Sequence, residues 1–208
     1  MTTSLNKSEP ATDSLSPIVA LRDVREGSTS EQLVRALAAR IWATPKAQRC
    51  AGDSLCCVLG PGEPDRSQYY FAVLQDGQIA GIVGHYEIGG KLAGLTWSGL
   101  LPEYRGQGIY RAALHCLDDR IAELYPKAEV LVEIVPPGPR HDAVVCKFQS
   151  LGFEVRGTQR DSDPDYDNAT VLWRQIQGRW PRWKSRGRYV YDSWACGPIP
   201  PGAGVTPR

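Results

Sequence analysis

The sequence predicts a mixed α/β domain in which helices pack on the faces of a mixed sheet. Two observations carry this prediction. Segments of alternating apolar residues outnumber segments with helical periodicity, and tight turns join the strand-like segments in the middle of the chain. The predicted element order is β-α-β-β-β-α-β-α-β-β, and a mixed sheet flanked by helices is the architecture that this order favours.

The first predicted elements are a strand and a helix. Residues 1–16 are rich in Ser, Thr and Pro, which predicts a disordered leader. The segment 18–24, IVALRDV, predicts a strand. A Ser-Thr-Ser sequence followed by Glu31 is typical of a helix start, and we expect this helix to end before Pro45. Its apolar face is formed by Leu33, Val34, Leu37, Ala38, Ile41 and Trp42.

A meander of three strands is predicted next. The strand-like segments 69–75 and 79–88 flank an Asp-Gly-Gln turn at 76–78, which is a hairpin signal. A Gly-Gly turn then precedes a third strand at 91–101.

The second half of the chain alternates helices with strands. Apolar spacing from Gly108 predicts a helix that Pro126 stops. Another helix is predicted to end at Gly152, which is typical of a left-handed C-terminal cap. The strands predicted in this half are 129–135, 153–157 and 169–176.

Charge is unevenly distributed along the chain. The formal net charge is +1, but residues 178–208 contain six Lys or Arg and one Asp, which gives +5. The other 18 basic and 22 acidic residues sum to −4. We therefore expect one domain at 17–177 and a basic, aromatic extension at 178–208 whose end is disordered. Packing of the aromatic residues on the domain is the preferred interpretation, and no nucleic-acid partner is expected.

No pattern of secretion, membrane insertion or metal binding is visible. No run approaches the roughly 20 apolar residues that a membrane span requires. Six cysteines are scattered without a Cys-x-x-Cys pair, so no zinc site or other metal is predicted. We expect a cytoplasmic protein with reduced thiols.

The segment LLPEYRGQGIY carries the most informative pattern. A predicted strand ends at Leu100 and Leu101, a glycine-rich turn follows, and a helix begins near Gly108. Free N–H groups and the dipole at a helix start attract an anion, and glycines let it approach closely. Arg105 and Arg111 add positive charge. The P-loop pattern is absent, and Arg111 stands where a dinucleotide GxGxxG motif needs glycine, so another phosphate or pyrophosphate ligand is expected.

The longer segment PEYRGQGIYRAAL resembles the R/Q-x-x-G-x-G/A cofactor motif of the GNAT acyltransferase superfamily. Arg105 and Gly108 match the motif, whereas Tyr110 stands where the family usually has Gly or Ala. The resemblance extends over residues 18–177, since the order of strands and helices also agrees. It implies a GNAT fold with a central, mostly antiparallel and twisted sheet flanked by helices. This sheet would be splayed at the cofactor cleft, between the strand that ends at Leu101 and residues 132–134.

The segment 141–153 is similar to a second element of the same family. Its Leu-Gly-Phe end matches, but His141 stands where Asn is usual and Phe148 where Tyr is usual. The resemblance implies acetyl-CoA as the acyl-donor substrate. The residues that it implies for binding acetyl-CoA are Leu100, Leu101, Arg105, Gly106, Gln107, Gly108, Ile109, Tyr110 and His141.

The implied reaction needs a base for the amine, a donor for the oxyanion and an acid for the leaving thiolate. Glu133 is the first choice of base, because its Val-Glu-Ile strand resembles that of relatives that use a carboxylate there. Phe148 has no hydroxyl, so Tyr110 would supply the acid, or the thiolate leaves unassisted. The alternatives are Glu87 and His85 for the base, and Tyr86 and Ser98 for the acid.

The resemblance implies an N-acetyltransferase that transfers acetyl to the primary amine of a small molecule by direct attack in a ternary complex. An acidic loop at 161–168 favours a cationic amine. Two alternatives stay open. The changes at Phe148 and Tyr110 suggest a non-catalytic CoA-binding or regulatory protein, and the basic extension suggests an enzyme directed at a protein or the ribosome. The oligomeric state is not fixed, and a dimer is one option.

Overall fold

A computed structural model describes residues 17–26, 30–59, 68–161, 164 and 166–176, together with the backbone of 189–192 and 206–207. The predicted leader at 1–16 and most of the basic extension at 178–208 lie outside the described residues. The strands are β1 (Val19–Asp23), β2 (Gln68–Gln75), β3 (Gln78–Gly89), β4 (Leu92–Leu100), β5 (Val130–Val135), β6 (Glu154–Arg160), β7 (Thr170–Gln175), β8 (Tyr189–Asp192) and β9 (Thr206–Pro207). The helices are α1 (Glu31–Ile41), α2 (Pro45–Leu59), α3 (Ile109–Leu124) and α4 (His141–Ser150).

All described strands belong to one sheet, in the order β1-β2-β3-β4-β5-β7-β6-β8-β9. The first four strands form an antiparallel meander, and β7 pairs antiparallel with both of its neighbours, β5 and β6. Only β4 with β5 and β6 with β8 run parallel. The predicted fold class, a mostly antiparallel mixed sheet flanked by helices, is therefore confirmed.

Helices cover both faces of this sheet. One core contains the buried side of α3 together with Phe71, Leu131 and Leu172 of the strands and Phe148 of α4. The opposite core joins α1 and α2 to the other side of β2 and β3. Among the described residues, no helix is both long and apolar enough to cross a membrane.

The second helix, α2, was not predicted. The sequence predicted that Pro45 follows the end of a helix, and α1 does end before it, at Ile41; what the sequence did not predict is that Pro45 also begins α2. Proline is well suited to a first helical position, because the N–H that it lacks would have no partner in the helix. The helix buries Ala51, Leu55 and Val58 at helical spacing, so it completes the second core.

Candidate active site

The glycine-rich loop after β4 ends in an exposed helix start. A single 3-10 turn, Pro102–Tyr104, follows β4, and Gly106 and Gly108 then adopt φ values of 78° and 76°. These left-handed conformations favour glycine and turn the chain into α3. The first hydrogen bond of α3 joins the Ala112 amide to the Gly108 carbonyl, so the three preceding helical amides have no acceptor within the helix. The loop therefore presents N–H donors at the positive end of a helix.

A cavity of about 330 Å³ lies against this loop. Its walls come from the end of β4, from the loop with the first turn of α3, and from the last turn of α4. The lining residues are Ser98, Gly99, Leu100, Arg105, Gly106, Gly108, Ile109, Tyr110, Arg111, Lys147, Ser150 and Leu151. Three of them are cations and none is an acid, so the cavity favours a negatively charged ligand.

The sheet opens beside the cavity. Parallel pairing between β4 and β5 begins at Leu92 with Val130 and stops at Gly94 with Val132, although both strands continue. A bulge accompanies this separation: two residues of β4, Trp97 and Ser98, lie opposite one residue of β3. The resemblance implied a splay at these strands, and the pairing shows it.

Ser98 compensates for the backbone pairing lost at this bulge. Its hydroxyl accepts a hydrogen bond from the Gly84 amide at 3.1 Å and donates one to the Thr96 carbonyl at 2.5 Å. The side chain thereby fixes the bent conformation of β4 at the wall of the cavity.

Arg105 connects the loop to α1. Its Nε donates to the Leu100 carbonyl at 3.0 Å, and its Nη2 donates to the Ile41 carbonyl at 2.8 Å. A second link joins the same parts of the chain, because Arg40 pairs with Glu103 at 2.5 Å. The guanidinium of Arg105 therefore holds the loop in position, in addition to bringing positive charge to the cavity.

Tyr110 places a buried hydroxyl beside Glu133. The phenol oxygen has no hydrogen-bond partner among the described residues. Burial raises the pKa of this phenol well above its ordinary value and the Glu133 carboxylate raises it further, whereas the Ser98 hydroxyl and the Arg174 guanidinium lower it by smaller amounts. Because side chains alternate along a strand, Glu133 lies on the same face of β5 as Leu131 and Val135, which pack in the core under α3.

Glu133 retains some contact with solvent. Even so, desolvation by the surrounding protein raises the pKa of its carboxyl well above the ordinary value. Glu133 is not among the residues that line the cavity. It lies beyond Tyr110, close enough for its charge to act on the phenol.

The cavity brings together six of the nine residues predicted to bind acetyl-CoA. The three that it does not include are Leu101, Gln107 and His141. Leu101 is buried in the core on the α1 side, and Gln107 is exposed and donates to the Glu103 carbonyl. His141 begins α4, where its ring is held by the Thr170 hydroxyl and the Asp142 carboxylate.

The alternative catalytic residues have different surroundings. His85 is completely buried and stacks on Tyr69 and Phe71, with ring centroids 5.2 and 5.8 Å away. Burial lowers the pKa of His85 to about 4. Glu87 is exposed on β3. Of the two alternative acids, Ser98 lines the cavity and Tyr86 packs in a separate strand cluster.

Several lining residues were not predicted to bind the ligand. Lys147, Ser150 and Leu151 come from the last turn of α4, at spacings of three and four residues that place them on one helix face. Arg111 follows the motif and was noted only for its charge; it also donates to the Ser150 carbonyl at 2.7 Å, which joins α3 to α4. The helical spacing was visible in the sequence, but the packing of α4 against the loop was not.

Comparisons with known proteins agree with this geometry. Residues 35–136 match the model of the acetyltransferase (GNAT) family. The fold is similar to that of a putative GNAT acetyltransferase from Desulfovibrio desulfuricans, with a TM-score of 0.63, 15% identity, and coverage of 76% of this chain and 99% of that chain. No curated protein matches the sequence significantly.

Two further solved structures share the fold. A chimeric spermidine N-acetyltransferase from Vibrio cholerae has a TM-score of 0.57 and 16% identity, over 76% of this chain and 95% of that chain. The ribosomal-protein-S18-alanine N-acetyltransferase from Escherichia coli has a TM-score of 0.53 and 18% identity, over 81% of this chain and all of that chain. Family match, fold and splayed sheet together define the class: the chain carries an acetyltransferase domain of the GNAT type.

Proposed function

We propose that this protein transfers the acetyl group of acetyl-CoA to a primary amine of a small molecule, by direct attack in a ternary complex. One observation carries the proposal: a cationic cavity lies where β4 separates from β5 and where α3 begins. A thioester held at the separation would be open to an amine, while the charged end of the donor would meet the loop.

The loop and α4 supply the groups that a pyrophosphate requires. The amides at the start of α3 would donate to its oxygens, and the left-handed Gly106 and Gly108 remove the Cβ atoms that would hinder this approach. Arg111 and Lys147 line the same cavity and would neutralise its charge. The unpaired edge of β4 beyond Gly94 would be free to pair with the amides of the pantetheine arm.

Glu133 is the proposed base, because an ammonium nitrogen has no lone pair with which to attack a thioester. The raised pKa of Glu133 makes it a stronger base than an exposed carboxylate, and therefore better matched to removing a proton from an amine. It would act directly or through a water molecule. The amine lone pair then forms the C–N bond, and the C–S bond breaks.

Tyr110 is the proposed acid for the leaving thiolate. Phe148, which stands where the family usually has tyrosine, is 8% exposed and packs against Phe153 in the core, so it supplies no proton. Glu133 would pass the first proton, taken from the ammonium, to solvent, and would take the second from the nitrogen of the tetrahedral intermediate. The phenol of Tyr110 would donate its proton to the sulfur, and Glu133 would return the second proton to the Tyr110 phenolate. The cycle thus yields an amide and a thiol and restores both side chains.

The acceptor is proposed to be a small, cationic amine. Asp161 and Asp167 lie in the loop between β6 and β7, while two further acids of this loop, Asp163 and Asp165, lie outside the described residues. Negative charge there would attract a cation. The similarity to a spermidine enzyme supports this choice; the similarity to an enzyme of ribosomal protein S18 keeps a protein acceptor as the second candidate. Five free thiols in the described chain support a cytoplasmic setting.

A thiol-release assay with acetyl-CoA and a panel of amines tests the proposal, using Glu133→Gln with Glu87→Gln as the matched control. Glu87 is an exposed carboxylate on β3 and the alternative base. We expect Glu133→Gln to lower kcat by about 10²–10⁴-fold, the usual range for a lost general base, and Glu87→Gln to have no effect. Equal activity of Glu133→Gln and the wild type would disprove the assignment, and no turnover with any amine would favour a non-catalytic CoA-binding protein.

A further inference from the structure

A buried ion pair lies behind the proposed base. Asp118 of α3 is completely buried, and the side chain of Arg174 in β7 is 10% exposed. The two arginine Nη atoms donate to the two carboxylate oxygens at 2.9 and 2.6 Å, which is bidentate geometry. Neither residue belongs to the cavity or to the mechanism proposed above.

The strand register places this arginine next to Glu133. Arg174 lies opposite Leu131, and Glu133 lies opposite Leu172, so the two charged residues share one face of the sheet as diagonal neighbours. Diagonal neighbours have Cα atoms about 7–8 Å apart, which is within reach of a long side chain. Both charges also act on the phenol of Tyr110. The cation, the proposed base and the proposed acid therefore form one electrostatic group.

Asp118 occupies the hydrogen-bonding end of Arg174. The ring of Phe153 covers the guanidinium, with its centroid 5.3 Å from the Cζ atom. The remaining donor, Nε, is buried and has no hydrogen-bond partner among the described residues. Glu129, which directly precedes β5, is paired through its Oε1 with Lys91 at 2.7 Å. Without Asp118, the carboxylate on the same sheet face that remains for this cation is therefore Glu133. An Arg–Glu133 pair would stabilise the charged carboxylate and weaken it as a base.

We propose that Asp118 is a positioning residue that holds Arg174 away from Glu133, so that Glu133 remains a base strong enough to accept the proton of the amine. The inference rests on the proposed role of Glu133. This role would explain why the ion pair of Asp118 and Arg174 is buried in a core where apolar side chains of similar volume would stabilise the fold as well.

Two other ionisable groups on the elements around this face have partners of their own. Arg111 is bound to the Ser150 carbonyl, and His141 is held by Thr170 and Asp142. The ionisable or charged groups on these elements are Tyr110, Arg111, His115, Cys116, Asp118, Asp119, Arg120 and Glu123 on α3, His141, Asp142, Cys146 and Lys147 on α4, Arg174 on β7, His85, Tyr86 and Glu87 on β3, and Glu129 directly before β5. Of these, Asp118 is the carboxylate that binds the guanidinium of Arg174.

The test is the pH dependence of kcat/KM for Asp118→Asn, measured with the full chain at saturating acetyl-CoA. With Glu133 as the base, kcat/KM of the wild type should rise with pH as Glu133 loses its proton. This rise is the acidic limb of the pH profile. We expect Asp118→Asn to move the midpoint of this limb to lower pH by about 1–3 units, because an arginine beside a carboxylate lowers its pKa by that amount. The double variant Asp118→Asn with Arg174→Met should return the limb to its wild-type position. Glu123→Gln, which removes an exposed acid from the same helix, should not move it.

A limb that stays in place in Asp118→Asn would overturn the inference and leave the ion pair a purely structural feature. Where Asp118→Asn does not fold, Asp118→Ser removes the carboxylate with a smaller side chain; a downward shift of the limb is expected, and an unchanged limb would refute the idea. Glu133→Gln separates the two proposals: if it retains the acidic limb, Glu133 is not the base, whatever Asp118 does.

Discussion

Tyr110 carries a buried hydroxyl that has no hydrogen-bond partner among the described residues. Leaving such a group unsatisfied costs about 1–3 kcal/mol of folding free energy, so Tyr110→Phe should raise the free energy of unfolding by about 1 kcal/mol or more. If the same hydroxyl protonates the leaving thiolate, kcat should fall by about 10²–10⁴-fold. That loss corresponds to about 2.7–5.4 kcal/mol in the activation barrier. Stability and activity should therefore change in opposite directions.

Two assays on the same protein samples measure this pair of effects. Urea unfolding followed by tryptophan fluorescence gives the stability, and thiol release at saturating substrates gives kcat. Tyr125→Phe is the matched control, because it removes a phenol hydroxyl at the far end of α3, where Tyr125 packs edge-on against His85. We expect this control to keep the wild-type kcat. Unchanged activity in Tyr110→Phe would show that Tyr110 contributes only to packing and not to proton transfer. A lower free energy of unfolding in Tyr110→Phe would show that its hydroxyl has a hydrogen-bond partner in the folded protein.

Three further predictions concern the core and the loop. Between pH 6.5 and 4 the unfolded chain binds a proton at His85 that the folded chain does not. The free energy of unfolding should therefore decrease as the pH is lowered, by about 2.5 kcal/mol at pH 4.5. Urea titrations should show that His85→Phe removes this loss. A Cβ at residue 81 would collide with the Gly99 carbonyl oxygen, so Gly81→Ala should lower the unfolding free energy by about 1–3 kcal/mol in the same titration. Arg105→Gln loses two hydrogen bonds that fix the loop, and calorimetry should show acetyl-CoA binding weakened by about 10–100-fold.

The sequence predicted most of the sheet because alternation and turn residues are local signals. The hairpin between β2 and β3 and the stop after α3 both follow from a few neighbouring residues. The helix α2 escaped prediction because Gly52 and three cysteines give it a low intrinsic helix propensity. A Cβ at Gly52 would lie 3.4 Å from the Arg35 guanidinium and 3.9 Å from Ala38, so this helix depends on close packing against α1, which the sequence does not show.

The candidate site was predicted only in part, because local sequence patterns show the loop but not the packing of distant elements around it. The glycine-rich loop is continuous in sequence, and its helix start defines an anion site without further information. The wall formed by α4 and the proximity of Tyr110 to Glu133 depend on how α3 and α4 pack on the sheet. His141 remains a prediction: the structure places it at the start of α4, bound by Thr170, and outside the cavity.

Binding of acetyl-CoA at the loop is the central claim, and calorimetric titration of the wild type and Gly108→Trp tests it most directly. Gly77→Trp is a close control, since Gly77 has φ 75° against 76° for Gly108 but lies in the β2–β3 turn, away from the cavity. We predict that the wild type and Gly77→Trp bind acetyl-CoA equally. Gly108→Trp should bind at least about 100-fold more weakly, which is a loss of about 2.7 kcal/mol. Equal binding by all three proteins, or no binding by the wild type, would contradict the assignment of this cavity to acetyl-CoA.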